Sequence, residues 1–177
     1  MSEMPPIIGS NGLERVLDSQ QRRTRNLEAS YPIGVYGVLS ANQNIGNATF
    51  ATLSNWSTLN YLGPQEKGIV WNGVNGWTID KWGEGWWHIH CTVMFASGAG
   101  SIRAGQIQVN GAGQIQVNTG LPSGSNSVSL AMTWESRLTA GQVITFAAYQ
   151  DSGGTLAVMS NTAGTYYTWY TIRRIGR

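Results

Sequence analysis

A chain of 177 residues holds one well-buried domain plus a short appendage and falls short of two comfortable domains. Only 11% of its residues are charged, while 23 glycines stand beside eight tryptophans and seven tyrosines, a composition that suits strands and glycine turns and argues against a helical bundle. A formal charge of +2 leaves no broad electrostatic footprint for nucleic acid or for an anionic membrane surface.

In chain order, Pro5, Pro6, Gly9 and Ser10 mark an extended arm. Met1 to Gly9 lacks a basic region followed by an apolar run, and nowhere do roughly 18 apolar residues follow one another, so synthesis in a cytoplasm without membrane insertion is expected. Asn11 and Glu14 have the spacing of a capping box, which satisfies two orphan N–H groups at a helix start. From Gly12 to about Ala29, Leu13, Leu17, Gln20, Thr24 and Leu27 alternate spacings of four and three, a short coiled-coil seam. Arg22, Arg23 and Arg25 complement the negative helix end, and Pro32 and Gly34 read as stop signals. So short a helix is marginal alone in water. It calls for a homotrimeric bundle, or for a surface of the domain or of a neighbouring protein to lie on. Residues 1–32 are therefore read as an arm and helix for trimerisation and docking, and residues 33–177 as one β domain.

Past Pro32, short alternating runs separated by Gly, Asn and Ser clusters give the texture of a sandwich. Strands are predicted at Thr49 to Leu53, Lys67 to Trp71, Trp77 to Asp80, Trp86 to Phe95, Ser101 to Asn110, Gln114 to Asn118, Ser127 to Glu135, Gln142 to Gln150, Thr155 to Met159 and Thr165 to Ile175. Alternation puts Trp87, Ile89, Cys91, Val93 and Phe95 on a core face and Trp86, His88, His90, Thr92 and Met94 on the other. The strand from Gln142 is apolar on both sides, which marks a central or interface strand. The heptad AGQIQVN occurs twice, at Ala104 to Asn110 and Ala112 to Asn118, and predicts a hairpin with a tight Asn-Gly turn and one wet face. Cys91, the lone cysteine, excludes an intrachain disulfide and reads as a small buried hydrophobe.

Three stretches together resemble the jelly roll of tumour necrosis factor and the complement globular head, phage versions above all: Gly85, Trp87 and Ile89 leading to Val93 and Phe95; Ile107-Gln-Val-Asn-Gly111; and Leu138-Thr-Ala-Gly-Gln142 with the closing Tyr166 to Gly176. Gln142 stands where those domains usually carry an acid. The front end, Leu13-Glu-Arg-Val-Leu-Asp18 with Arg22-Arg-Thr-Arg-Asn-Leu-Glu28, is similar to the opening of minor tail proteins from phages of actinobacteria. The resemblance implies an all-β jelly roll behind a short helix, a homotrimer, a last strand inserted centrally near the threefold axis, and a helix that anchors to other tail proteins. Leu13, Leu17, Leu27, His88, His90, Tyr166 and Trp169 are the expected trimer contacts.

Two histidines, one cysteine and nine scattered acids offer no converging nucleophile, base or carboxylate pair, so no catalytic residue, metal or cofactor is assigned. Asp80 and Glu84 flank a Trp-Gly turn and read as turn acids. His88 and His90 share a face, and a trimer would bring six imidazoles together for a metal or anion if that face met the axis; the alternative is an outward polar face bonded to neighbouring strands. Trp56, Tyr61, Trp77 and Trp82 are the ligand-binding candidates, because flat rings stack on sugar C–H faces, with Trp82 in Lys81-Trp-Gly-Glu-Gly85 foremost. The expected function is a non-enzymatic virion component, a phage minor tail protein that recognises host cell-wall glycan. The rivals are a structural decoration or tail-tip assembly protein, and a glycan-degrading tail enzyme.

Overall fold

A computed structural model describes residues 15–22, 33–57, 60–62, 67–100, 102–120, 127–160 and 168–177. The chain divides into two compact units, Met1–Tyr31 and Pro32–Arg177. In the first, residues 15–22 are helical and wholly exposed. Asp18 and Arg22 form an i,i+4 pair at 3.7 Å there, an exposed contact that contributes little. Leu17 is 51% exposed on this helix, whereas Leu13, Leu27 and the capping pair Asn11 and Glu14 lie outside the described residues. No described helix is long and apolar enough to cross a membrane.

The second unit is a sandwich of two antiparallel sheets. One sheet holds β1 (Gly34–Val38), β2 (Gln43–Ile45), β4 (Asn60–Tyr61), β7 (Gly85–Phe95), β10 (Val128–Leu138), β12 (Leu156–Val158) and β13 (Trp169–Gly176). The other runs β5 (Ile69–Trp71), β6 (Gly76–Ile79), β11 (Val143–Gln150), β8 (Ile102–Val109) and β9 (Ala112–Gly120), with β3 (Ala51–Thr52) also on β11. β10 flanks β7 along its whole length, and β13 and then β12 share its other edge. The closing strand β13 thus lies between β7 and β1, as the resemblance implies.

Alternation predicts the core face of β7 correctly: Trp87, Ile89, Cys91, Val93 and Phe95 are all fully buried. They meet Ile144, Phe146 and Ala148 of β11, Trp77 and Ile79 of β6, and Tyr170 and Ile172 of β13 in one hydrophobic cluster. Burying each large side chain contributes about 1.5–3 kcal/mol. β11 is central between β6 and β8, as its two apolar faces predict. Burial pushes the Cys91 thiol far above its ordinary range, so it behaves as a packed apolar group. The repeated heptads form the hairpin β8–β9, whose turn residues Asn110 and Gly111 have φ of 52° and 77°, the primed geometry that matches strand twist.

Three strands, β1, β2 and β4, were absent from the expected set. β1 begins at Gly34, which pairs with Arg173 of β13. A Cβ at Gly34 would lie 2.5 Å from the Ile172 carbonyl oxygen, so a glycine here permits close strand approach. The expected strand from Thr165 begins, among the described residues, at Trp169; Tyr166 lies outside them.

Candidate functional site

The turn between β6 and β7, residues 80–84, is built around one carboxylate. Asp80 Oδ1 accepts from the backbone N–H of Trp82 at 2.6 Å and of Gly83 at 3.1 Å, and Oδ2 accepts from Gly68 N–H at 2.9 Å. This is an Asx turn extended to a second loop. The loops touch so closely that a Cβ at Gly83 would run into the Gly68 carbonyl. Two further donors close the frame: the Trp87 indole N–H donates to Gly83 O at 2.8 Å, and Arg174 Nη1 donates to Trp82 O at 2.7 Å.

Within this rigid backbone the Trp82 ring is left 57% exposed, with Lys81 Nζ 5.2 Å from its centroid. Trp86, 48% exposed, opens β7 nearby; its register partners are Arg137 of β10 and Gly176 of β13. Glu84 accepts from Ala140 N–H at 3.2 Å. Asp80 and Glu84 are thus both engaged by loop backbone, the turn role expected of them.

The other three candidate rings belong to the interior. Trp77 is fully buried, so it replaces the expected sugar-facing ring with a core ring, packed against Trp71 at 5.1 Å and Tyr170 at 5.9 Å. Trp56 is half-buried between Phe146 and Tyr170, at 5.6 and 4.9 Å, and its indole N–H donates to Leu53 O at 3.0 Å. Tyr61 is half-buried with its ring 6.2 Å from that of Trp77. Glycine neighbours made Trp77 and Trp82 look alike in sequence; only strand pairing separates them.

On the outward face of β7, His88, His90 and Trp169 do come together. His88 Nδ1 and Glu135 Oε1 are 2.7 Å apart. The His90 ring nitrogens reach the Thr133 and Thr92 hydroxyls at 2.9 and 3.1 Å, and its ring lies 4.7 Å from that of Trp169. Partial burial, then the neighbouring His88, holds the His90 pKa below its ordinary value. These bonds make an outward polar face on each copy, and among the described residues of a single chain no three His, Cys, Asp or Glu converge to hold a metal ion. Sequence reasoning missed Glu135 and Arg174 as partners of this region, because their roles arise from register.

No family model matches the chain and no curated protein matches its sequence. Solved structures do. The Eiger TNF of S. frugiperda superposes with a TM-score of 0.59 at 7% identity, covering 82% of this chain and 93% of that one. Murine APRIL, crystallised at pH 5.0, superposes with a TM-score of 0.53 at 9% identity, covering 81% and 99%. At such identities the likeness is one of fold: this chain is an all-β, TNF-like jelly roll preceded by a short helix.

Proposed function

We propose that this chain is a non-enzymatic minor tail protein of a bacteriophage, working as a homotrimer whose jelly roll recognises glycan on the host surface. The N-terminal helix docks it to other tail proteins, so it is assembled in the host cytoplasm and carried in the virion tail. One observation carries the recognition role: Trp82 is held open to solvent by a frame of five hydrogen bonds. Leaving a large ring exposed on a rigid turn forgoes burial energy, and flat rings on rigid turns are what sugar sites use.

Self-association is supported by the resemblance to the tumour necrosis factor jelly roll and by the β7 face. That face presents Tyr36, 43% exposed, alongside His88, His90 and Trp169. The helix supports docking through Val16 and Leu17, both more than half exposed. A recognition role rather than a catalytic one is favoured by the turn acids, whose oxygens serve the backbone.

A fluorescent fusion of the full chain, added to actinobacterial cells, is expected to decorate their surface, and Trp82→Ala is expected to abolish most of that signal while leaving the fold intact. Binding to isolated phage tails but to no cell surface would replace the reading with tail assembly alone. Release of sugar from purified wall polysaccharide would replace it with an enzyme.

A further inference from the structure

Charge on the β unit is distributed unevenly. Of its seven lysines and arginines, Arg103 is buried beyond the far end of β7, its guanidinium donating to the Gly98 and Ala99 carbonyls. The other six lie around the end where β7 begins. Lys67 is exposed beside Gly68, which Asp80 binds. Lys81 sits over Trp82, and Arg174 holds the Trp82 carbonyl. The backbone of Arg177 passes 3.2 Å from where a Gly85 side chain would begin. Arg137 and Arg173, both exposed, pair in register with Trp86 and His88.

Three described carboxylates, Asp80, Glu84 and Glu135, lie at this end against six cations, so an excess of positive charge remains. Among the described residues no carboxylate forms an ion pair with any of the six. Asp80 is committed to three backbone N–H groups and Glu84 to a fourth. Partial burial first and Arg177 next hold the Arg174 pKa below its ordinary value, with only Asp80 acting against them. Cations gathered at one end of a domain raise the local potential and attract a multivalent anion, an attraction that salt screens.

Two exposed indoles, Trp82 and Trp86, stand among these cations. Rings offer flat faces for sugar C–H surfaces and the cations offer partners for carboxylate or phosphate. We propose that the Trp82 end of the jelly roll binds an anionic polysaccharide, one whose sugar backbone carries phosphate or carboxylate groups. The inference rests on the glycan-recognition reading above and names its ligand class. Single-stranded nucleic acid would call for a basic groove that tracks a backbone; here the cations form one end cluster on a chain of net charge only +2.

Titration calorimetry on the full chain with polygalacturonate, poly(glycerol phosphate), neutral dextran and a single-stranded DNA oligonucleotide tests it. Binding to at least one anionic glycan should be roughly tenfold tighter than to dextran and should weaken as salt rises. The triple variant Lys67→Ser, Lys81→Ser, Arg177→Ser, whose side chains take no part in the turn's hydrogen bonds, should lose roughly tenfold in affinity with an unchanged urea midpoint. Preference between the two polymers assigns carboxylate or phosphate. The proposal is overturned by equal binding to dextran, by tighter binding to DNA, by no binding to either anionic glycan, or by a triple variant that binds like the parent. Cells decorated by the fusion while both anionic glycans fail would sink this inference alone; glycan binding without cell decoration would sink the host-recognition reading alone.

Discussion

Replacing Asp80 with Ala removes the group around which the Trp82 turn is organised. Three backbone N–H groups, those of Trp82, Gly83 and Gly68, lose acceptors at 2.6, 3.1 and 2.9 Å. A hydrogen bond to a charged acceptor contributes about 1.5–3 kcal/mol when buried. Asp80 is half-buried and water can reach part of the opened turn, so about half of that value applies per bond, and the total loss over the three bonds is about 2–4.5 kcal/mol. Asp80→Asn keeps one acceptor oxygen and should lose about half as much. Urea unfolding measures the totals, and amide hydrogen exchange locates them: Gly68, Trp82 and Gly83 should exchange faster while β7 and β10 keep their protection. A loss under about 0.5 kcal/mol for the Ala variant, or unchanged exchange at those three amides, would refute the assignment of Asp80 as the organiser.

Arg103→Met should cost about 2–4 kcal/mol in thermal or urea unfolding, because it strands the Gly98, Ala99 and Ile102 carbonyls that the buried guanidinium satisfies and removes the 3.6 Å partner of Asp151; a loss under about 1 kcal/mol would contradict that role. His90 sets a pH dependence. Its folded pKa lies below the ordinary 6.5, so the unfolded chain binds the proton more readily, and stability present above about pH 6.5 falls as pH drops through that window. Its own register partners are Thr133 on β10 and Thr171 on β13, and the titratable neighbour that acts on it is His88 on its own strand, which pairs with Glu135 and Arg173. His90→Gln should flatten the stability profile between about pH 7 and 5, and an unchanged slope would show that His90 does not titrate differently in the folded state.

The sandwich was legible where side-chain alternation is unambiguous. From Trp86 to Phe95, β7 separates five buried from five outward residues, β11 is apolar on both faces, and Asn110-Gly111 is a turn signal with a mechanical basis. Reading stopped where pairing is everything. β1 is a Gly-Val-Tyr-Gly-Val run that looks like a loop until β13 pairs with it at Gly34, and β2 and β4 are too short for alternation to show. Of the four candidate rings, burial took Trp77 fully into the core and Trp56 and Tyr61 partly so, since a glycine neighbour marks a tight turn and a packed strand equally well. The basic end was visible only in part: Arg173, Arg174 and Arg177 cluster in the sequence itself, whereas Lys67, Lys81 and Arg137 are far from them and are gathered by the pairing of β7 with β10 and β13 and by the Asp80 turn.

Three copies of the chain must join for each particle to present several Trp82 turns at once. Sedimentation equilibrium of the intact chain addresses this most directly. It should return three times the chain mass of 19.2 kDa, and a species of one chain mass at every loading concentration would contradict it.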